Sequence, residues 1–374
     1  MGYELSKNEG VAPMSFGGCF GRRWLGAAMG QTMREKMPFS FGSDDKFTFL
    51  ALNSCFTETK RGEVQLSDGT WVLPKLPTSI DEQWIRWIGE LRAERLKNAD
   101  MILLRREPSK EKANLGTQHA GMYQRVMNTF WLLQLSGVVL HQGCAFAQGS
   151  FVSGQVNISQ MGEGGDYLFS EGAPKLPVTA ERLEEAAQMA VVLEAMIASE
   201  THGRFIRGIA AFRDGLEHQW GQNRLHQFVR SIEALIKPKK FGVTDQFKER
   251  GQILGIQSAD SKTMLAECYE MRCEVEHVRE YNGYLKGIYG EDGWLAVGIL
   301  RTRQIEALAS ESYRRILTSA TIRAHFESDD TLEAFWALSP NEQRKIWGLG
   351  IDVTGFKDDD ENQEKRRQIR KRHT

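Results

Sequence analysis

The sequence predicts an α+β protein: a mixed α/β segment first, then an all-α antiparallel helical bundle. Two observations carry this. Extended apolar runs such as Phe47 to Leu52 and Met101 to Leu104 are confined to residues 1–172, whereas from Thr179 onward apolar residues recur almost only at three- and four-residue steps, the period of a buried helix face. Between them lies EGAPKLPVT, Glu171 to Thr179, in which Pro174 and Pro177 disfavour helix and Thr179 can cap the next one. The boundaries expected are therefore 1–172 for the mixed domain, 179–320 for the bundle, 321–356 for a helical extension and 357–374 for a charged tail. At 374 residues, two domains also fit the usual size of about 100–200 residues each.

In the first segment, Phe47 to Leu52 reads as a strand, and Glu63 to Leu73 as a hairpin turning at Ser67-Asp68-Gly69. Thr78 or Ser79 can cap a helix whose apolar face is Ile80, Trp84, Trp87, Ile88, Leu91 and Leu96. Met101 to Leu104 is a further strand, and Gln118 to Leu135 a second helix. Val138 to Leu140 and Phe151 to Ile158 look extended, before Gly162, Gly164 and Gly165 break the chain. GGCFGRR, Gly17 to Arg23, lacks the Gly-Lys-Ser/Thr ending of a phosphate-binding loop and reads as turns.

The second segment carries helical stripes at Leu183, Ala186, Ala190, Leu193 and Ile197, then at Phe205, Ile209, Phe212 and Leu216. Leu225, Phe228, Val229, Ile232, Leu235 and Ile236 form the clearest one, ended by Pro238. A shorter helix spans about 244–254, and Ile305, Leu308, Ala309 and Ile316 mark another. Beyond Thr318 the anchors are Leu332, Phe335, Trp336 and Leu338.

Composition excludes several classes. A net charge of −1 removes any global electrostatic argument for nucleic-acid or membrane binding. Five scattered Cys without a CxxC pair argue against a disulfide framework or a zinc site and fit a reducing, cytoplasmic setting. No secretory signal and no membrane-length apolar run is present. The opening MGYELS satisfies the short myristoylation pattern at Gly2 and Ser6. The tail KDDDENQEKRRQIRKRHT is almost devoid of apolar residues, so disorder is its default. Its Lys365, Arg366, Arg367, Arg370, Lys371 and Arg372 are candidate contacts for RNA phosphates.

The stretch with most chemical content is SKTMLAECYEMRCEVEHVREY, Ser261 to Tyr281. Met264, Cys268, Met271, Val275 and Val278 give it an apolar stripe, and Arg272 and His277 fall off that stripe. Five helical residues turn through roughly 140° and rise roughly 7.5 Å, so those two side chains flank a groove rather than stack.

The preceding helices place this stretch in a register that resembles the HEPN domains, in particular the Apea-like branch. RFIRGIAAFRDGL is followed by NRLHQFVRSIEALI with its Arg224-Leu225 opening and Ser231-Ile232-Glu233-Ala234-Leu235 core. FKERGQIL, with Phe247 and Arg250, follows, and then CYEMRCEVEH with the Arg-x4-His of that family as Arg272 and His277, preceded by Tyr269. The resemblance covers roughly residues 180–320. Arg213 and His218 in RDGLEH have the same spacing, but lie in the helix corresponding to the bundle's first, where the family keeps no such motif. Cys273 stands where a small polar residue usually follows the Arg, and Val278 replaces the Gly common after the His.

The resemblance implies a metal-independent endoribonuclease without a cofactor, in which Arg272 and His277 are catalytic and Tyr269, Cys273 and Glu276 support them. RNA supplies its own nucleophile, the 2′-hydroxyl. Imidazole can act as base or acid near neutral pH, and a guanidinium can fork onto two phosphate oxygens. HEPN protomers pair with their motifs facing each other, which implies a homodimer. A toxin-like effector of prokaryotic antiviral defence or of a toxin–antitoxin system is the role expected, with residues 1–172 sensing a phage-derived trigger or an antitoxin. Two other readings compete, ahead of a third, unsupported by any nucleophile–base or nucleotide-binding motif in residues 1–170, in which that part carries an unrelated activity and the bundle only dimerises it. In one, the bundle binds RNA, nucleotide or a partner protein without cleaving it, as Cys273 and Val278 would favour. In the other, Arg272 merely forms an i,i+4 ion pair with Glu276, His277 is a surface histidine and Glu233 is structural.

Overall fold

The strand β1 (Asp45–Leu52) is buried along almost its whole length and apolar from Phe49 to Leu52, because both of its faces are covered. It sits between β4 (Met101–Pro108) and β5 (Ala145–Val152), with Phe49 opposite Leu104 on one side and Ala147 on the other. With β2 (Val64–Gln65), β3 (Trp71–Leu73) and β6 (Gln155–Glu163) it builds a six-stranded antiparallel sheet in the order β2-β3-β4-β1-β5-β6. The fold is α+β. The computed structural model describes residues 39–52, 63–80, 82–109, 115–137, 145–163, 178–218, 221–239, 241–277 and 279–355, all within one compact unit.

The two-residue period of β1 sends alternate side chains into separate cores. Phe47, Phe49 and Ala51 pack with Trp71, Leu104 and Ala147 against Ile88 of α1 (Glu82–Ile88) and Ala93 and Leu96 of α2 (Glu90–Lys97). Leu50 and Leu52 face the other way and join Val126 and Phe130 of α3 (Leu115–Leu132). A 3-10 turn, Leu133–Ser136, follows α3. That second core continues without interruption into the helices after Val178.

Two details differ from the sequence reading. Gly89, at φ 87°, splits the helix expected after Ser79 into α1 and α2, and Trp87 and Leu91 of its supposed apolar face are 60% and 64% exposed. The stretch Phe151 to Ile158 is extended at both ends, as the end of β5 and the start of β6, but not continuous: Ser153 and Gly154, at positive φ, turn the hairpin between them. The expectations for Gly17 to Arg23, Val138 to Leu140, most of the Pro-bearing stretch and the charged tail lie outside the described residues.

After Val178 every regular element described is helical. Thr179 does cap α4 (Ala180–Ala198), its side chain accepting from the Arg182 amide. Next come α5 (Gly203–Glu217) and α6 (Gly221–Ile236), whose apolar stripes are buried as their spacing predicts. They approach closely where α5 carries glycine: a Cβ on Gly208 would lie 2.5 Å from Ala234 Cβ and against Tyr313 Oη. α6 ends before Pro238, and Arg250 of α7 (Val243–Leu254) completes that end by donating to the carbonyls of Ile236 and Lys237 at 2.6 and 2.8 Å. Those carbonyls would otherwise lack helical partners.

α8 (Ala259–Glu276) is clamped to α9 (Asn282–Thr318) by a buried ion pair, Glu267 to Arg301 at 2.6 Å, with Tyr289 Oη donating to the same carboxylate. α9 is interrupted at Gly290, where φ is 74°. The chain closes with α10 (Ala320–Ala324), α11 (Asp329–Ala337) and α12 (Pro340–Trp347). Trp336 and Trp347 donate their indole N–H groups to the carbonyls of Leu235 and Leu254. Among the described residues no helix is long and apolar enough to cross a membrane.

Because the Gly208 contact is made with a helix and with a fully buried ring, neither of which yields cheaply, Gly208→Ala is expected to cost about 1–3 kcal/mol. Urea denaturation of the purified variant measures it.

Candidate functional site

The helix α8 begins at Ser258, whose hydroxyl accepts from the Ser261 amide at 3.0 Å, and ends at Glu276 with His277 as its C-terminal cap. Met264, Cys268 and Met271 of its stripe are fully buried. The face beside that stripe, with Tyr269, Arg272, Cys273 and Glu276, meets α6. Arg272 Nη2 lies 3.2 Å from Glu233 and 3.5 Å from Glu276, and its guanidinium sits 5.9 Å from the centre of the Tyr269 ring. Arg272 Nε is buried and makes no hydrogen bond among the described residues. His226, two turns before Glu233 on α6, places its Nε2 2.6 Å from Glu276 Oε2. One arginine, two carboxylates and an imidazole therefore form a continuous group across the α6–α8 contact.

Burial and charge act in opposite directions within it. Burial pulls the Arg272 pKa down, but Glu233 and then Glu276 outweigh that and hold it above the usual arginine value. Burial pushes the Glu233 carboxyl up; Arg272 opposes the shift and the like charge of Glu276 adds to it. The two directions agree with one guanidinium shared between two acids, in which the more enclosed acid is the less readily ionised. The hydrogen bond from His226, more than the field of Arg272, holds Glu276 below the usual carboxylate range. Burial and the neighbouring Cys273 raise the Tyr269 phenol to about 12, and burial raises the Cys273 thiol. Near neutral pH both are neutral, so Cys273 offers no thiolate nucleophile here.

Of the residues singled out in the sequence, Tyr269, Arg272, Cys273 and Glu276 are brought together. His277 is not joined to them: it is exposed at the helix end, and among the described residues its side chain makes no hydrogen bond or ion pair. The expected ion pair between Arg272 and Glu276 is present. Lys365, Arg366, Arg367, Arg370, Lys371 and Arg372 lie outside the described residues.

Two members of the group went unread in the sequence. The sequence assigns no role to His226 and a structural one to Glu233. Both lie off the apolar stripe of α6 and seven residues apart, a two-turn spacing that puts them on one face. That signal was available, but their partners on α8 belong to tertiary structure.

The pair with the same spacing in α5 gives a sharp comparison. Arg213 pairs with Glu217 at 3.3 Å, four residues on, and His218 caps the helix. In both places the sequence pattern Arg-x3-Glu-His marks a helix end with an i,i+4 ion pair. Enclosure separates the arginines and not the paired acids: Arg213 is 44% exposed and Arg272 18%, whereas Glu217 and Glu276 are 44% and 47%, and only Arg272 meets a further, enclosed acid, Glu233, on a covering helix.

Among the described residues no group of three or more His, Cys, Asp or Glu is disposed to hold a metal ion. Comparison of the chain with protein-family models, with curated proteins and with solved structures gives no match.

The raised pKa of Glu233 has a definite consequence for stability. The folded state holds that proton more tightly than the unfolded chain does, so the contribution is present below the ordinary glutamate range and is lost as pH rises through the raised value. Urea midpoints of the wild type should therefore fall relative to those of Glu233→Gln as pH is raised across that window. Parallel pH profiles for the two proteins would contradict the assignment.

Proposed function

We propose that the chain is a metal-independent endoribonuclease of HEPN type, acting as a toxin-like effector in prokaryotic antiviral defence or a toxin–antitoxin system. The observation that carries this reading is the enclosed Arg272, kept charged by Glu233 and Glu276 at a helix end that also presents His277. The order of helices α5 to α9 and the quoted motifs supply the family resemblance. Enclosed, mutually perturbed charges are expensive to maintain for stability alone and are common where chemistry is done.

In the proposed reaction, an imidazole takes the proton of a 2′-hydroxyl as its oxygen bonds to the adjacent phosphorus. The bond from phosphorus to the 5′-oxygen breaks, and that oxygen receives a proton from a second acid. The products are a 2′,3′-cyclic phosphate and a 5′-hydroxyl. Arg272 neutralises charge on the non-bridging oxygens. His277 is the first imidazole. His226, oriented by Glu276, is available as the second within the same protomer, and a homodimer would add a second Arg272 and His277 across the interface.

A second reading is favoured by a specific observation. Arg272 already satisfies two carboxylates and makes no hydrogen bond with His277 among the described residues, which suits a non-catalytic module binding RNA, nucleotide or a partner protein. The two separate experimentally. Wild-type protein incubated with mixed RNA in excess chelator should yield cyclic-phosphate ends; Arg272→Ala and His277→Ala should abolish them, and His226→Ala should slow cleavage by roughly 10²-fold. Undiminished cleavage in Arg272→Ala and His277→Ala would remove this site, and absence of cleavage by the wild type would leave the binding module.

A further inference from the structure

Beside the Arg272 group, α5 and α6 enclose an open cleft of about 320 Å³ whose lining includes Arg204, Arg207, Arg230, Glu233 and Pro238. Its charges are unevenly satisfied. Arg204 is engaged by Asp329 at 2.9 Å, and Glu233, the only acid of the lining among the described residues, is engaged by Arg272. Arg207 and Arg230 are exposed and make no hydrogen bond or ion pair among the described residues. They stand on different helices yet line one cleft: Arg230 lies in the field of Glu233 and Glu276 without pairing directly to either, and Arg207 has no acid bonded to it among the described residues.

From these observations the geometry points to a binding track for the phosphodiester backbone of single-stranded RNA, running from Arg272 past Arg230 to Arg207. For the identity of its ligand this rests on the ribonuclease reading; the convergence of cations does not. Spacing supports an extended ligand. His226, Arg230 and Glu233 are separated by four and three residues on α6, and Arg204 and Arg207 by three on α5, so each set lies along one helix face. Arg204, Arg207 and Arg230 are thus spread over two helices with Glu233 among them, a distribution that offers contacts to successive singly charged phosphates. Guanidinium forks are well matched to such oxygens.

Charge also fixes where the track ends. An adjoining cavity of about 460 Å³ shares Arg204 and Arg207, but Glu200, Glu327 and Asp329 line it as well. Those acids repel a polyanion, so the favourable stretch stops at Arg204. The close approach of α5 and α6 at Gly208 lies in the lining of the cleft.

The test uses the full chain and an uncleavable 2′-O-methyl single-stranded RNA, with binding followed by fluorescence anisotropy over a range of salt. The combined Arg207→Ala, Arg230→Ala variant should bind about tenfold more weakly near 0.1 M salt, and its log–log salt slope should shrink by roughly 1.4, about 0.7 for each lost phosphate contact. Arg207→Lys with Arg230→Lys should keep most of the slope, and Arg213→Ala, on the exposed end of α5, should bind as the wild type. Circular dichroism establishes that the variants fold. Wild-type binding by the double alanine variant would overturn the proposal, as would displacement of the RNA by equimolar inorganic phosphate or nucleoside monophosphate, which would indicate a compact anion site. Because the probe cannot be cut, salt-dependent binding that requires Arg207 and Arg230 in a protein without cleavage activity would sustain the track while the ribonuclease reading fell.

Discussion

The helical half of the molecule depends on Tyr313. Its ring is fully buried in α9, 5.1 Å from Phe205 and 6.0 Å from Phe212, and its hydroxyl donates to the Ser231 carbonyl at 2.8 Å. It occupies the space that the missing side chain of Gly208 leaves open. Three helices are thereby held at one point, and the position and rotation of α6 are set. The polar row of α6, with His226, Arg230 and Glu233, can then face α8 and the cleft in a single register. A close-packed apolar contact positions the polar one.

The Arg272 group would be a poor way to stabilise a fold. Enclosing one cation with two acids incurs desolvation on all three, and the Coulombic return is shared. What it provides is a charged arginine whose neighbours differ in kind. An incoming anion must compete with two carboxylates, and Glu233, already disposed to hold its proton, is the one most easily neutralised. Glu276, tied to His226, remains ionised and keeps that imidazole oriented.

Much of this was legible in sequence where the determinants are local. The stripe of α6, its end before Pro238, the Thr179 cap and the strand from Phe47 depend on residues a few positions apart, and the structure has them. Gly89 hid in a helical pattern because one glycine at positive φ leaves the apolar spacing on either side unchanged. The sheet order was not legible, since β1 pairs with partners about fifty to sixty and about a hundred residues distant, and nothing in a strand names its neighbour. The site divides the same way. Arg272 and Glu276 are four apart on one helix and could be read; His226 and Glu233 join them only through the packing of α6 on α8. His277 was read as part of a continuous helix, but α8 stops at Glu276, which leaves its imidazole at the margin of the group.

The doubled Arg-x3-Glu-His pattern bears on how short motifs gain meaning. A helix that ends in an ion-paired turn and a histidine cap will generate an arginine and a histidine five positions apart for reasons of helix termination alone. Natural selection for a stable helix end and selection for a phosphate-handling pair therefore write the same letters. What tells them apart is whether a second helix covers the arginine, so the informative unit for such a motif is the pair of helices, with the covering helix's acids and imidazole counted as part of the signature.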